Sequence, residues 1–276
     1  MKQFFQIDIC PNLRGYVWSA LLGVKGDTKG IYSRIDKCSR RETDRQIEVD
    51  IPRCHQYEPL ISCPEGAHKL KRVIKAWLVT NPKLTYWQGL DSLTVPFVVL
   101  HYDREDLAFA TMTKFIPKYL TGLFQRDNAR VIQEYLAVFQ QLLCHHDPEL
   151  SNHLADMDGQ AFVPDLYAIP WFLTMFAHVF PINKIIHLWD TMLLFDSSFP
   201  LFIGVAIMLR LKVGFKIILF CFCKKKISDQ NQRFSYNVIN QFEHKRCQHR
   251  LDMGQTSPSR LEINIFSQAT VESREI

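Results

Sequence analysis

Two short stretches carry residues whose types and spacing suit chemistry on a phosphoryl group. In Ile47-Glu48-Val49-Asp50-Ile51-Pro52-Arg53 a carboxylate stands three residues before an arginine, with a proline between them. Proline fixes its own φ and restricts Ile51 before it, so the backbone that delivers Arg53 has few conformations to lose. A guanidinium is always charged and offers five donors in a rigid fork, which suits it to neutralise charge building on a phosphoryl oxygen. In Tyr86-Trp87-Gln88-Gly89 the glutamine adds an uncharged side chain that can both donate to and accept from a water. An arginine together with a glutamine is the pair that GTP hydrolysis needs.

Each pattern is short and has a plainer reading, an Asp50 to Arg53 ion pair and a Gln88 at the edge of the core. The surrounding chain decides between them. With 276 residues and 47% apolar content it can bury a large core, as one domain or two. Only 11 glycines, and few runs of strict polar and apolar alternation, argue against an all-β protein. The 8 cysteines are scattered without a dense framework, as free thiols in a reducing compartment would be. Residues 1 to 8 lack the apolar run of a signal peptide, and the apolar region Phe199 to Cys223 is interrupted by Arg210, Lys212 and Lys216. Each such charge costs about 2.5 to 3.5 kcal/mol at a bilayer centre. These features predict a cytoplasmic chain without a membrane span.

After a lead-in over 1–11, the chain reads as helix after helix. Asn12 can cap a helix burying Leu13, Val17, Trp18, Leu21 and Leu22, with Arg14 and Trp18 four apart on one face as a packing or cation-π pair. Residues 23 to 42 read as loop and weak helix. Pro64 and Glu65 open a helix with Leu70, Val73, Ile74, Trp77 and Leu78 inward and Lys69, Lys71, Arg72 and Lys75 outward. That basic run is a solvated face or a surface for an acidic partner. Asn81-Pro82 ends the helix, and the glycine of Tyr86-Trp87-Gln88-Gly89 permits close backbone approach before an apolar helix over 90–101 around Pro96. Helical periods follow over 106–119, 129–144, 162–180, 182–195 and about 200–211.

Cys144-His145-His146-Asp147 lacks the i, i+4 spacing of a helical zinc site, and Cys221, Cys223, Cys247 and His249 match no common finger, so no metal is expected. Residues 212–276 hold 11 Lys or Arg against 6 Asp or Glu, whereas 1–211 hold 22 of each. This tail reads as a mostly disordered basic extension that can touch anionic membranes, with no specific nucleic-acid partner. No Walker loop, dinucleotide fingerprint or nucleophile elbow is present, so the chain has no such chemistry of its own.

Taken together, residues 12–211 resemble the TBC domain, the all-helical catalytic domain of Rab GTPase-activating proteins. Leu13-Arg14-Gly15-Tyr16-Val17-Trp18 is similar to the family's opening R-G-x-x-W, Ile47 to Arg53 to its I-x-x-D-x-x-R, and Tyr86 to Gly89 to its Y-x-Q-G. Trp171-Phe172-Leu173-Thr174 with Phe176, then Leu188-Trp189-Asp190, resemble its W-x-x-T-x-F and W-D blocks. The resemblance implies an all-α fold, an arginine finger at Arg53 and a glutamine finger at Gln88. It also implies support from Asp50, Tyr86, Arg14 and Trp18, and a Rab-family GTPase that brings its own GTP and Mg²⁺, with no cofactor held by this chain. It places the chain in the cytoplasm, with peripheral contact at endomembranes. Two departures stand out. Cys54 replaces the family's usual threonine after the finger, and the tail does not resemble the helices that complete the carboxy-terminal lobe, so that lobe is expected to be incomplete. The competing expectation is an impaired module that binds or scaffolds a Rab without accelerating hydrolysis.

Overall fold

The computed structural model describes residues 9–156 and 164–225, and among these every regular element is helical, with one isolated bridge between Leu84 and Gln125. The chain divides into two units, one of residues 1–141 with 154–201 and the other of 142–153 with 202–276. The first holds both stretches singled out above.

Helix α1 (Pro11–Leu21) starts on a proline, whose missing N–H costs nothing at a first turn. Asn12 therefore lies inside the helix rather than capping it, and Cys10 precedes it with no side-chain cap. The buried side also differs from the expected apolar stripe: Leu13 and Leu21 are 57% and 45% exposed, while Arg14, Gly15, Trp18 and Ser19 are buried. The reason is that α1 turns toward the chain the residues with specific partners. A Cβ on Gly15 would come within 2.7 Å of His101 Cε1, so only glycine allows this approach. Ser19 Oγ lies 2.8 Å from Thr111 Oγ1 and 3.3 Å from His101 Nε2.

Helix α2 (Thr28–Arg34) is capped by Asp27, and α3 (Asp44–Asp50) passes directly into a 3₁₀ turn over Ile51–Arg53. A short α4 (Pro59–Ser62) leads into α5 (Pro64–Thr80), which packs against α6 (Leu90–Leu100) and α7 (Glu105–Tyr119). Nine consecutive residues of α6, Leu90 to Val98, are buried, which is why it reads as apolar on all sides. Trp18, Phe97, Phe115 and Trp189 interlock at its centre, with Phe115 and Trp189 stacked at 4.6 Å between ring centroids.

Much of the basic face of α5 is paired within the chain. Lys71 pairs with Glu48 at 2.7 Å, and Arg72 with Glu105 at 2.6 Å and Glu65 at 3.2 Å. Lys75 is buried, its Nζ 2.6 Å from Asp44 Oδ2 and 2.9 Å from the Ser39 carbonyl. This pair fastens the start of α3 to the core.

Helices α8 (Ala129–His146), α9 (Pro148–Asp156) and α10 (Pro164–Leu173) follow. The expected helical run over 162–180 stops at Leu173, because Met175 and Phe176 take left-handed backbone with φ of 46° and 66°. After α11 (Ile182–Met192), α12 (Phe199–Lys225) runs well past the Leu211 end expected from sequence. Within the second unit Lys212 pairs with Asp147 at 2.6 Å and Glu149 at 2.9 Å. The tail reading over 226–276, and the side chains of Cys221, Cys223, Cys247 and His249, lie outside the described residues. Among the described residues no group of metal-binding side chains converges, and no helix is long and apolar enough to cross a membrane.

Removing one member of a buried ion pair leaves an uncompensated charge, whereas replacing both with apolar groups is often nearly neutral. Lys75→Met is expected to lower unfolding free energy by about 3 to 5 kcal/mol in urea titration, and Asp44→Leu in the same chain to recover most of it.

Candidate functional site

The two stretches meet through a buried hydrogen bond. Asp50 is 7% exposed and does not pair with Arg53; its Oδ1 accepts from Gln46 Nε2 at 2.9 Å and its Oδ2 from the Tyr86 hydroxyl at 2.8 Å. Burial, reinforced by Asp91 and Asp50, pushes the Tyr86 phenol well above its ordinary range, so Tyr86 keeps its proton and acts as the donor. The plain reading of an Asp50 to Arg53 ion pair is thereby replaced. The carboxylate is spent on holding two segments together, and Arg53 is left exposed without an ion pair or hydrogen bond among the described residues.

The backbone around Gln88 is held at several points. Thr85 N–H donates to the Phe124 carbonyl, Trp87 Nε1 to the Gln125 carbonyl and Gly89 N–H to Asp91 Oδ1, at 2.9, 2.9 and 3.1 Å. Gly89 has φ of 106°, a region L side chains avoid, and a Cβ there would lie 2.8 Å from the Thr174 methyl. Gln88 itself is exposed and makes no hydrogen bond among the described residues. A fixed backbone thus presents a free amide.

Behind this loop, Thr174 begins the left-handed turn, which Trp189 Nε1 holds by donating to the Met175 carbonyl at 2.9 Å. Its neighbour Asp190 accepts from Arg14 Nε at 2.9 Å and Trp18 Nε1 at 2.6 Å. Arg14 and Trp18 thus both reach the Asp190 carboxylate, which stands beside the tryptophan that holds the turn behind the Gln88 loop. Burial pushes the Asp190 carboxyl upward, while Trp18, Arg14 and the nearby His187 pull against it. Sequence reading placed Asp190 in a block but gave it no role. Its only signal was its place beside a tryptophan in the apolar run of α11.

Cys54, where a threonine was expected, is buried with Sγ 3.8 Å from Ser92 Oγ, and Ser92 Oγ lies 3.3 Å from His178 Nδ1. Burial, with Asp91 nearby, pushes this thiol well above its ordinary range, so it stays protonated. A weak thiol contact therefore stands after the arginine turn.

An all-helical chain with this set of blocks defines a class. The Rab-GTPase-TBC domain family matches residues 11–216, and the chain belongs to that family. Over 207 residues it is 61% identical to the TBC domain-containing protein kinase-like protein of Gallus gallus, an alignment covering 75% of this chain and 23% of that relative. The chain thus spans about a quarter of the length of the curated relative. It is 26% identical over 205 residues to GTPase-activating protein GYP5 of Eremothecium gossypii, covering 74% of this chain and 23% of that protein. The fold is similar to the Ypt/Rab-GAP domain of GYP1P, with a TM-score of 0.65 at 20% identity over 76% of this chain and 79% of that one.

A side chain at position 89 meets both an unfavourable φ and the Thr174 methyl. Gly89→Ala is expected to cost about 1 to 3 kcal/mol of stability, with Thr174→Ser in the same chain recovering the steric share but not the backbone share, read from urea melts of the three proteins.

Proposed function

We propose that this chain accelerates GTP hydrolysis on a Rab-family GTPase by supplying an arginine and a glutamine in trans. The observation that carries the reading is that Arg53 and Gln88 are both exposed and unpartnered among the described residues, on backbones joined by the buried Tyr86 to Asp50 bond. Polar side chains held at fixed positions yet left without intramolecular partners are what a site completed by another molecule requires. Membership of the Rab-GTPase-TBC family and similarity to a relative named a GTPase-activating protein support the same reading.

In this mechanism the partner binds GTP and Mg²⁺. Arg53 enters its nucleotide site and donates to oxygens between the β- and γ-phosphates, where charge accumulates as the γ-phosphoryl group departs. Gln88 accepts from the attacking water and donates toward the γ-phosphate, fixing the line of attack. Water adds to the γ-phosphorus, the bond to the bridging oxygen breaks, and GDP and inorganic phosphate result. Asp50 and Tyr86 position both residues; Arg14 and Trp18 hold the Asp190 brace behind Gln88. A Rab partner implies work in vesicle trafficking on cytoplasmic membrane faces, where the basic tail can add peripheral contact.

One observation favours a second reading, in which the domain binds a Rab without accelerating it. The thiol of Cys54, 3.8 Å from Ser92, stands where a hydroxyl would hold the residue after the finger more firmly.

The test is single-turnover GTP hydrolysis by a panel of purified Rab GTPases. An arginine finger is worth about 10³ to 10⁵ in rate. Arg53→Ala is expected to abolish stimulation, and Arg53→Lys to do nearly as badly because a point charge cannot replace the fork. Gln88→Ala is expected to remove most of it while binding persists. A wild type that binds a GTP-loaded Rab without speeding its turnover supports the second reading.

A further inference from the structure

The chain leaves the Arg53 turn through a residue held in a conformation its type does not favour. His55 has φ of 46°, a left-handed position that glycine would occupy without strain. A bulky side chain persists there only where its surroundings hold it. The residue is buried, with Nδ1 2.7 Å from the Tyr57 hydroxyl and the two rings edge to face at 5.5 Å between centroids. The Glu58 N–H donates to the His55 carbonyl at 2.8 Å.

The Tyr57 hydroxyl in turn reaches a distant part of the chain. It accepts from the Ile182 N–H at 3.2 Å, and Ile182 is the first residue of α11, where amides have no partner within their own helix. With that amide as donor, the hydroxyl proton is available to His55 Nδ1. A line of bonds thus runs from the second residue after Arg53 to the start of α11. The residue between is fixed as well, since Cys54 is buried and its N–H donates to the Ile51 carbonyl at 3.0 Å.

The same helix holds the other loop. Trp189 of α11 bonds the Met175 carbonyl in the turn whose Thr174 methyl lies against Gly89, the neighbour of Gln88. Ile182 and Trp189 stand about two turns apart, roughly 10 Å along one element. The exit of the Arg53 turn and the Gln88 backbone are therefore both tied to α11, through contacts separate from the Tyr86 to Asp50 bond.

We infer that His55 and Tyr57 are positioning residues for Arg53, latching the exit of its turn to α11 and so setting its place relative to Gln88. This rests on the proposed function, since it takes Arg53 to be the group that enters the partner's site. Tyr57 is 55% exposed, so the rival role is direct contact with the partner. A positioning residue acts on the rate at saturation, whereas a contact residue acts on affinity.

The test compares wild type, Tyr57→Phe, His55→Ala and His55→Asn. Phenylalanine keeps the ring and removes the hydroxyl. Asparagine tolerates left-handed backbone and places an amide atom where Nδ1 stands, so it is expected to restore what alanine loses. Amide hydrogen exchange of the free chain is followed by mass spectrometry over residues 51–58 and 64–80, and stimulated hydrolysis is measured on the purified Rab panel. Tyr57→Phe and His55→Ala are expected to speed exchange over 51–58 by about tenfold and leave 64–80 unchanged. They are expected to lower kcat by about tenfold with KM within about twofold of wild type. Tyr57→Phe carries the test should His55→Ala fail to fold. Unchanged exchange and kcat in Tyr57→Phe overturn the latch and leave the GTPase-activating reading intact. A raised KM at constant kcat overturns it in favour of direct contact, and exchange that quickens equally over 64–80 overturns it in favour of a general role in stability. Faster exchange confined to 51–58, beside a wild type that accelerates no Rab, keeps the latch and overturns the GTPase-activating reading.

Discussion

The hydrogen bond from Tyr86 to Asp50 is the constraint on which the site depends. It joins a helix-to-3₁₀ turn ending in Arg53 to a loop carrying Gln88, although 36 residues separate the bonded pair. Each loop alone is a short polar connection of the sort that samples many conformations at the surface. Joined through a buried carboxylate whose other oxygen is held by Gln46, the two become one platform. Losing one partner leaves the other buried and unsatisfied, so the bond is costly to break.

A second constraint works from behind. Arg14 and Trp18 close on Asp190, and the adjacent Trp189 holds the left-handed turn whose Thr174 methyl leaves no room for a side chain at Gly89. Residues from the first and last blocks of the fold thus fix one backbone position beside Gln88. Phe115 and Phe97 stack around Trp189, so the brace is an extension of the aromatic core. Core packing and the placing of the Gln88 backbone thus share the same interactions.

Helix succession was legible because apolar spacing and proline positions signal it locally; α5 and α6 follow their patterns closely. Partner assignments were less legible, since they join residues far apart in the chain. Asp50 three residues before Arg53 invites a local ion pair, yet the carboxylate faces Tyr86. Arg14 four residues before Trp18 invites a local stack, yet both reach Asp190, more than 170 residues on. Lys75 looked solvated among four basic residues, and its burial is made tolerable by Asp44, from another helix, and the Ser39 carbonyl. The turn at Met175 and Phe176 had no glycine to announce it; tertiary contacts impose it on residues that would otherwise continue a helix.

The most direct measurement is a double-mutant cycle between Tyr86→Phe and Asp50→Asn, read as the stimulated single-turnover rate of a Rab GTPase. A hydrogen bond to a charged buried group is worth about 1.5 to 3 kcal/mol, so each single variant is expected to lose about tenfold or more. The double variant is expected to lose little beyond the worse single one, because the same link is broken in each. Losses that multiply, or single variants as active as wild type, would contradict the claim that this bond makes one site of two loops.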